Sequence, residues 1–331
     1  MSNSTNGKKA FSMDEFMNVF LNNKALFLLI IAFIVSIIAT GGNTLAAFNL
    51  TSLMRQIPVY AIMSMGFTVV FTAGKFDMSA GAVLSLCTII YAKLALTCPL
   101  WVAIIVTLLM GALLEFVNGA LIQAFKLPAF VLTLATSEAF EGISGMITEG
   151  KNISGLSDTA KWLGKQLMFN TVPVAFLVAI AVIIITSVIL FKTVFGRQLV
   201  ATGGNFAAAK VSGIKTNFIY ISAYVIIGIC AGIGAVLLTG RLGFGSMNAG
   251  SDYSLDCIAA VVIGGTSMHG GKPKVTGSLF GMMLIIVINN MLNLLGTSTY
   301  LQMIFKGLII AVAIILDAMS EKIASMQRLK G

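Results

Sequence analysis

The segment Gly196-Arg197-Gln198-Leu199-Val200-Ala201-Thr202-Gly203-Gly204-Asn205, continued after Phe206 by Ala207-Ala208-Ala209-Lys210-Val211-Ser212-Gly213-Ile214, stands between two long apolar runs near 172–191 and 218–239. Each run has about the roughly 20 residues that carry a helix across a bilayer. The segment between them is therefore a loop at a membrane surface. Its charge has one sign: Lys192, Arg197, Lys210 and Lys215 lie between Phe191 and Phe218 with no acid among them. Glycine at its ends and small residues along it predict a short helix. A membrane span does not need such an insert, whereas a docking surface for an acidic or polar partner on the cytoplasmic side does.

The same reading extends to the whole chain. Of its 331 residues, 58% are hydrophobic and only 10% charged, a balance no soluble domain of this length sustains on its surface. The 33 glycines and 5 prolines suit helices packed through small residues, and the alternation of a membrane β-barrel is missing. The fold class is all-α polytopic membrane protein. A net charge of +9 is spread over short loops, which is the pattern of membrane orientation and not of nucleic-acid binding. Cys87, Cys98, Cys230 and Cys257 have neither metal nor redox spacing and read as packing residues. The run Ala25 to Ala39 reads as a retained first span, with a cleaved signal peptide as the alternative.

Spans are predicted near 25–42, 57–73, 80–96, 100–125, 128–147, 172–191, 218–239, 275–295 and 299–316. Leu255 to Gly265 is apolar but too short to cross, so it is predicted as a half-helix buried among the others, giving about ten transmembrane helices. Placing both termini in the cytoplasm leaves Arg55, Lys151, Lys161, Lys165 and Arg241 as the outer basic residues, in keeping with the positive-inside rule. Residues 1–24 are then a cytoplasmic N-terminal segment, 25–316 the transmembrane domain with its loop at 192–217, and 317–331 a cytoplasmic tail. An inverted repeat of five spans is one reading of the similarity between Ala73-Gly74-Lys75-Phe76-Asp77-Met78-Ser79 and Ala249-Gly250-Ser251-Asp252-Tyr253-Ser254, and chance likeness of glycine-rich turns is the other.

Two readings are also open for Asp77: a cap for the following helix, or part of a broken helix lining a path. Glu115 and Asn118 are three apart on one helix, as are Glu138 and Glu141, so each pair shares a face. Ionisable groups in a membrane face a cavity, a partner or water. With Thr133, Thr136, Asn289, Asn290 and Asn293, and with Asn248 and Asp252 before the half-helix, they compose a candidate polar path poor in fixed charge. Such a lining suits a neutral polyhydroxylated solute better than an ion. For each residue alone, a hydrogen bond between helices is the plainer role.

Lys306, in the last span, requires a carboxylate or carbonyls nearby, and a structural ion pair is expected. His269 is the single histidine, which excludes a histidine-built metal site or proton relay. The loop Gly264 to Lys274 superficially resembles a phosphate-binding loop. Thr266 stands where the motif wants glycine, and Pro273 where it wants Ser or Thr. The chain is not expected to hydrolyse ATP.

Several stretches resemble the ribose-type permease subunits of ABC importers. These are Val262-Ile263-Gly264-Gly265-Thr266-Ser267, Gly270-Gly271, Gly277-Ser278-Leu279 and Asn289-Asn290-Met291-Leu292-Asn293-Leu294-Leu295-Gly296. Gly203 to Ile214, Asn248-Ala249-Gly250 with Tyr253, Leu255 and Asp256, Asp77-Met78-Ser79, Asn118-Gly119, and Leu127-Pro128-Ala129-Phe130 with Thr133-Leu134 are similar to the same family. The resemblance implies a type II importer-like subunit that pairs with a second copy or a paralogue. It implies a monosaccharide delivered by an extracytoplasmic sugar-binding protein, and cytoplasmic ABC ATPase subunits that hold the ATP and magnesium, with no cofactor bound by this chain. It makes the 192–217 loop a coupling loop, with Gly196, Arg197, Gly203, Gly204, Asn205, Ala209, Lys210 and Gly213 meeting the ATPase. Membrane lipid is the remaining partner. The chain departs from the family at Ala135, at Glu141-Gly142 and at Phe206-Ala207, which leaves a nucleoside or an autoinducer furanone open as solutes. The rival class is an ion-coupled transporter using Glu115, Glu138 or Glu141.

Overall fold

A computed structural model describes residues 23–168 and 172–309, with positions 311, 312 and 315. The expected N-terminal segment, apart from its last two residues, the tail at 317–331 and most of the end of the last span lie outside these residues. The helices are α1 (Lys24–Ala39), α2 (Ala47–Thr72), α3 (Ala80–Thr97), α4 (Leu100–Phe125), α5 (Ala129–Thr148), α6 (Asp158–Lys165), α7 (Val174–Lys192), α8 (Val194–Gly204), α9 (Phe206–Val211), α10 (Thr216–Leu242), α11 (Tyr253–Ile263), α12 (Val275–Leu294) and a final stretch at 299–309, here α13. A two-residue antiparallel pair, Leu167–Met168 with Val172–Pro173, precedes α7. Among the described residues six helices, α2, α3, α4, α7, α10 and α12, are long and apolar enough to cross a membrane, while α1 and α11 are apolar but shorter.

Proline marks the starts of these helices. Pro99, Pro128 and Pro173 each stand immediately before α4, α5 and α7, where the missing N–H costs nothing. Pro58 alone lies inside a helix, α2. Of their most apolar stretches, 72% of α2 and 67% of α10 are buried, against 22% of α4 and 28% of α7. The core therefore runs along α2 and α10, with α3, α11 and α12 around them. Contact between α4 and α10 is backbone to backbone: a β-carbon on Gly111 or on Gly228 would overlap the other's carbonyl.

Loops collect at two ends. At one, the Gly271 N–H donates to the Thr72 carbonyl at 2.9 Å, and Gly74 lies against Gly203 and His269. At the other, Ile153 bridges Gly245, and the Tyr91 hydroxyl donates to the Ala160 carbonyl at 2.7 Å. The amphipathic α6 lies at this second end, capped by Ser157, whose Oγ accepts from the Ala160 N–H at 3.2 Å.

The irregular segments 73–79 and 243–252 dip inward and meet. Ser254 Oγ accepts from the Gly81 N–H at 2.7 Å and donates to the Met78 carbonyl at 3.3 Å, and the Gly250 N–H donates to Ser85 Oγ at 2.8 Å. The stretches that look alike in sequence are thus neighbours in space. Directly after them comes α11, the predicted half-helix: eleven residues, apolar and nearly all buried.

Candidate functional site

The basic loop does not form the single helix predicted for it. Thr193 caps α8, its Oγ1 accepting from the Gly196 N–H at 3.1 Å. Asn205 then breaks the chain and caps α9, its Oδ1 accepting from the Ala208 N–H at 3.0 Å. Asn is a poor interior helix residue and a good cap, so the break falls on it. The small residues divide into two groups. Gly196 packs on the Ile189 and Leu190 carbonyls, Ala209 is buried, and a β-carbon on Gly203 would overlap the Thr72 carbonyl oxygen. By contrast, Arg197, Gly204, Asn205, Lys210 and Gly213 are exposed, and a β-carbon on Gly204 would meet only Gly271 Cα at 3.8 Å. Apolar Val211 is 90% exposed beside them. Phe206 stacks on Tyr220 with centroids 5.8 Å apart, and Lys75 Nζ sits 4.4 Å above the Tyr220 ring. Burial pulls the Lys75 ammonium below the ordinary lysine value.

The polar residues expected along one path separate into distinct groups. Asp77, Glu115, Asn118 and Thr133 come together and are buried. Ser79 joins them. Its N–H donates to Asp77 Oδ1 at 2.8 Å, and its hydroxyl lies 2.5 Å from Asp77 Oδ1 and 3.0 Å from Glu115 Oε1. Asn118 Nδ2 donates to Ser79 Oγ at 2.8 Å and to Glu115 Oε2 at 3.1 Å, and the Met78 N–H donates to Thr133 Oγ1 at 3.0 Å. Asp77 thus turns toward its own loop, while Ser79, the residue before α3, makes no side-chain cap bond.

A second group surrounds Asp256, which accepts from the Tyr60 hydroxyl at 3.0 Å and from Asn289 Nδ2 at 3.1 Å. Lys306 Nζ lies 3.4 Å from both Asp256 and Asp252, the ion pair its position required. Asn293 accepts from Gln302 at 3.0 Å, and Asn290 forms a reciprocal amide pair with Asn49. Asn248 is exposed in the re-entrant turn. Glu138 and Glu141 differ from all of these. Both are exposed on α5, whose buried face is Thr133, Phe140, Ser144 and Thr148, and Thr136 sits between the two faces. A continuous lumen within one chain is therefore not what these residues build.

With this geometry in view, the comparisons with known proteins fall into place. The family described as branched-chain amino acid transport system, permease component, matches residues 49–314. The chain belongs to this permease family. The permease is 37% identical over 298 residues to the ribose import permease protein RbsC of Bacillus subtilis (strain 168), covering 88% of this chain and 90% of that one. It is 35% identical over 280 residues to the D-allose transport system permease protein AlsC of Escherichia coli (strain K12), covering 83% and 84%. It is 33% identical over 270 residues to the autoinducer 2 import system permease protein LsrC of Photorhabdus laumondii, covering 81% of each. No solved structure matches.

The permease is a transport subunit and not an enzyme. Among the described residues no group of three or more His, Cys, Asp or Glu could hold a metal ion. Tyr60, Asp256 and Lys306 form the polar centre that sequence reasoning did not assign to the path. Its signal was a carboxylate in the first turn of an eleven-residue apolar helix, a position that demands a partner.

Proposed function

We propose that the chain is the membrane-spanning subunit of an ATP-driven ABC importer for a monosaccharide of the ribose or allose kind, working by alternating access. The observation that carries this reading is the 37% identity to a ribose import permease over 88% of the chain. In this reading the chain crosses the membrane about ten times, with α11 as a half-helix, 73–79 and 243–252 as corresponding breaks of an inverted repeat, and both termini cytoplasmic. The permease domain is 25–316, flanked by the segments 1–24 and 317–331.

The face bearing Arg197, Gly204, Asn205, Lys210 and Val211 meets the ATPase, which holds the ATP and magnesium. At the opposite end Arg55, Asp158, Lys161, Trp162 and Lys165 line a cavity of about 750 Å³ in which the bases outnumber the single acid, paired with Lys161 at 3.2 Å, and this is the landing place for an extracytoplasmic sugar-binding protein. Glu138 and Glu141 point out of the chain at membrane depth, where lipid is a costly neighbour. A second copy or a paralogue covers them, and the solute passes between the two subunits.

A second solute follows from the 33% identity to an autoinducer 2 import permease. Reconstitution of the chain with its ATPase and binding protein decides between them. ATP-dependent uptake of labelled ribose or allose, not displaced by autoinducer 2, is the expected result. Uptake that survives loss of the ATPase and stops when the ion gradient collapses overturns the proposal in favour of an ion-coupled transporter.

A further inference from the structure

Asp77, Ser79, Glu115 and Asn118 lie together where the break at 73–79 meets α4, and all four are sealed from solvent. Among the described residues neither carboxyl pairs with a lysine or an arginine. Two carboxylates with no counter-charge are costly in a dry interior. Something positive must offset one of them.

The hydrogen bonds show what is short. Ser79 has one hydroxyl proton, yet its Oγ stands 2.5 Å from Asp77 Oδ1 and 3.0 Å from Glu115 Oε1. It can serve only one of them. The Asn118 amide cannot supply the other, because its Nδ2 already donates to Ser79 Oγ at 2.8 Å and to Glu115 Oε2 at 3.1 Å. Acceptors are in surplus beyond this pair as well: Asp77 Oδ2 and Asn118 Oδ1 are buried with no donor. The cluster is therefore short of a proton. A metal ion fits the gap poorly, since even magnesium, holding its oxygens about 2.0–2.1 Å away, spaces adjacent ligands about 2.9 Å apart. Ser79 and Asp77 approach more closely than that.

We propose that Glu115 is a proton-binding site and stands in the folded chain as a neutral carboxylic acid. Ser79 gives its hydroxyl proton to the nearer Asp77 Oδ1, and its Oγ accepts from the Glu115 Oε1 hydroxyl. Asp77 keeps the negative charge, because its Oδ1 also accepts the Ser79 N–H at 2.8 Å, at the positive N-terminus of α3. Glu115 lies inside α4 and has no such terminus beside it. The bound proton makes Glu115 a positioning residue: it ties the break to α4, while Thr133 of α5 and Tyr224 of α10 hold the same segment through the Met78 N–H and the Phe76 carbonyl.

Infrared spectroscopy of the purified full-length chain at neutral pH tests this with no solute or ATPase present, so the result is independent of the transport reading. A carbonyl band of a protonated carboxyl is expected, shifted by heavy-carbon glutamate and lost in Glu115→Gln. Glutamine keeps an N–H for Ser79 and an oxygen for Asn118, so this variant should fold with an unaltered unfolding midpoint. Glu115→Ala orphans both partners and should raise the unfolding constant about tenfold or more. A band that survives Glu115→Gln, or that only heavy-carbon aspartate shifts, overturns the proposal. Sodium that raises the midpoint of the unsubstituted chain but not of Glu115→Gln overturns it in favour of a metal cation. Should Glu115→Gln fail to fold, the labelled unsubstituted chain decides, and a spectrum that heavy-carbon glutamate leaves unshifted in this region sinks the assignment.

Discussion

Glu115 with Asn118 on α4 and Glu138 with Glu141 on α5 are alike in sequence: polar pairs three residues apart on successive helices. They end in opposite surroundings. The first pair is sealed inside the chain, with Ser79 bridging it to Asp77. The second points out of the chain altogether. Spacing decides that two side chains share a face, but the neighbours decide what that face meets. Gly203 and Gly204 repeat the lesson one residue apart, the first pressed on the Thr72 carbonyl and the second nearly open.

The glycine pair gives the sharpest way to break this comparison. Gly203→Leu forces a side chain into backbone and should abolish recovery of folded protein by size-exclusion chromatography. Gly204→Leu should leave the chain monodisperse while ATP-dependent uptake and ATPase co-purification fall at least about tenfold, about 1.4 kcal/mol of coupling. If both variants behave alike, the division of the loop into inner and outer residues is wrong.

Among the acids, Asp77→Leu leaves the buried Ser79 N–H without its acceptor and takes one partner from the Ser79 hydroxyl, and should cost about 1 to 3 kcal/mol in thermal unfolding of the detergent-purified protein. Glu141→Leu should cost less than about 0.5 kcal/mol in the same measurement. Lys306→Met, at a partly exposed ion pair, should cost about 2 kcal/mol, and adding Asp256→Asn should recover most of it. Glu141→Arg should change uptake rate or solute preference by several-fold with unfolding unaltered; unchanged uptake makes Glu141 a structural residue. The smallest perturbation is Gly142→Cys in a Cys98→Ser background, where a β-carbon meets nothing within 4 Å. A bifunctional thiol reagent should then link two copies through α5, and persistent monomers would remove the second copy from that face.

Six of the predicted spans, α2, α3, α4, α7, α10 and α12, were legible because their apolar runs are long, whereas α1 is shorter than a span and α5 is too rich in Thr, Ser and Glu to join them. Helix α11 was legible as a helix because its short run is flanked by glycine-rich turns. Lys306 declared its own ion pair, since a lone ammonium at membrane depth has no stable alternative. The first ten residues of α2 read as loop, because Asn49, Thr51, Ser52, Arg55 and Gln56 interrupt the apolar pattern. They are helical where Asn290 reaches across to Asn49, a contact 241 residues away. Helix α6 was hidden in the long polar stretch between the runs at 128–147 and 172–191, although Ser157 and Asp158 at its start and Lys165 at its end are ordinary capping signals. Which acids face inward was not legible at all: α4 is apolar nearly all round, and α5 spreads Thr, Ser and Glu over both its buried and its exposed faces, so neither helix carries a stripe that fixes its rotation.

Where Gly111 meets Gly228, nothing separates the two main chains. Side chains that change rotamer are what let packed helices slide, and here there are none to change. α4 and α10 must travel as one strut. Any opening and closing of the permease has to bend at other joints, and the seams whose walls are flexible side chains, around α5 or beside α1 and α13, are where movement should be sought.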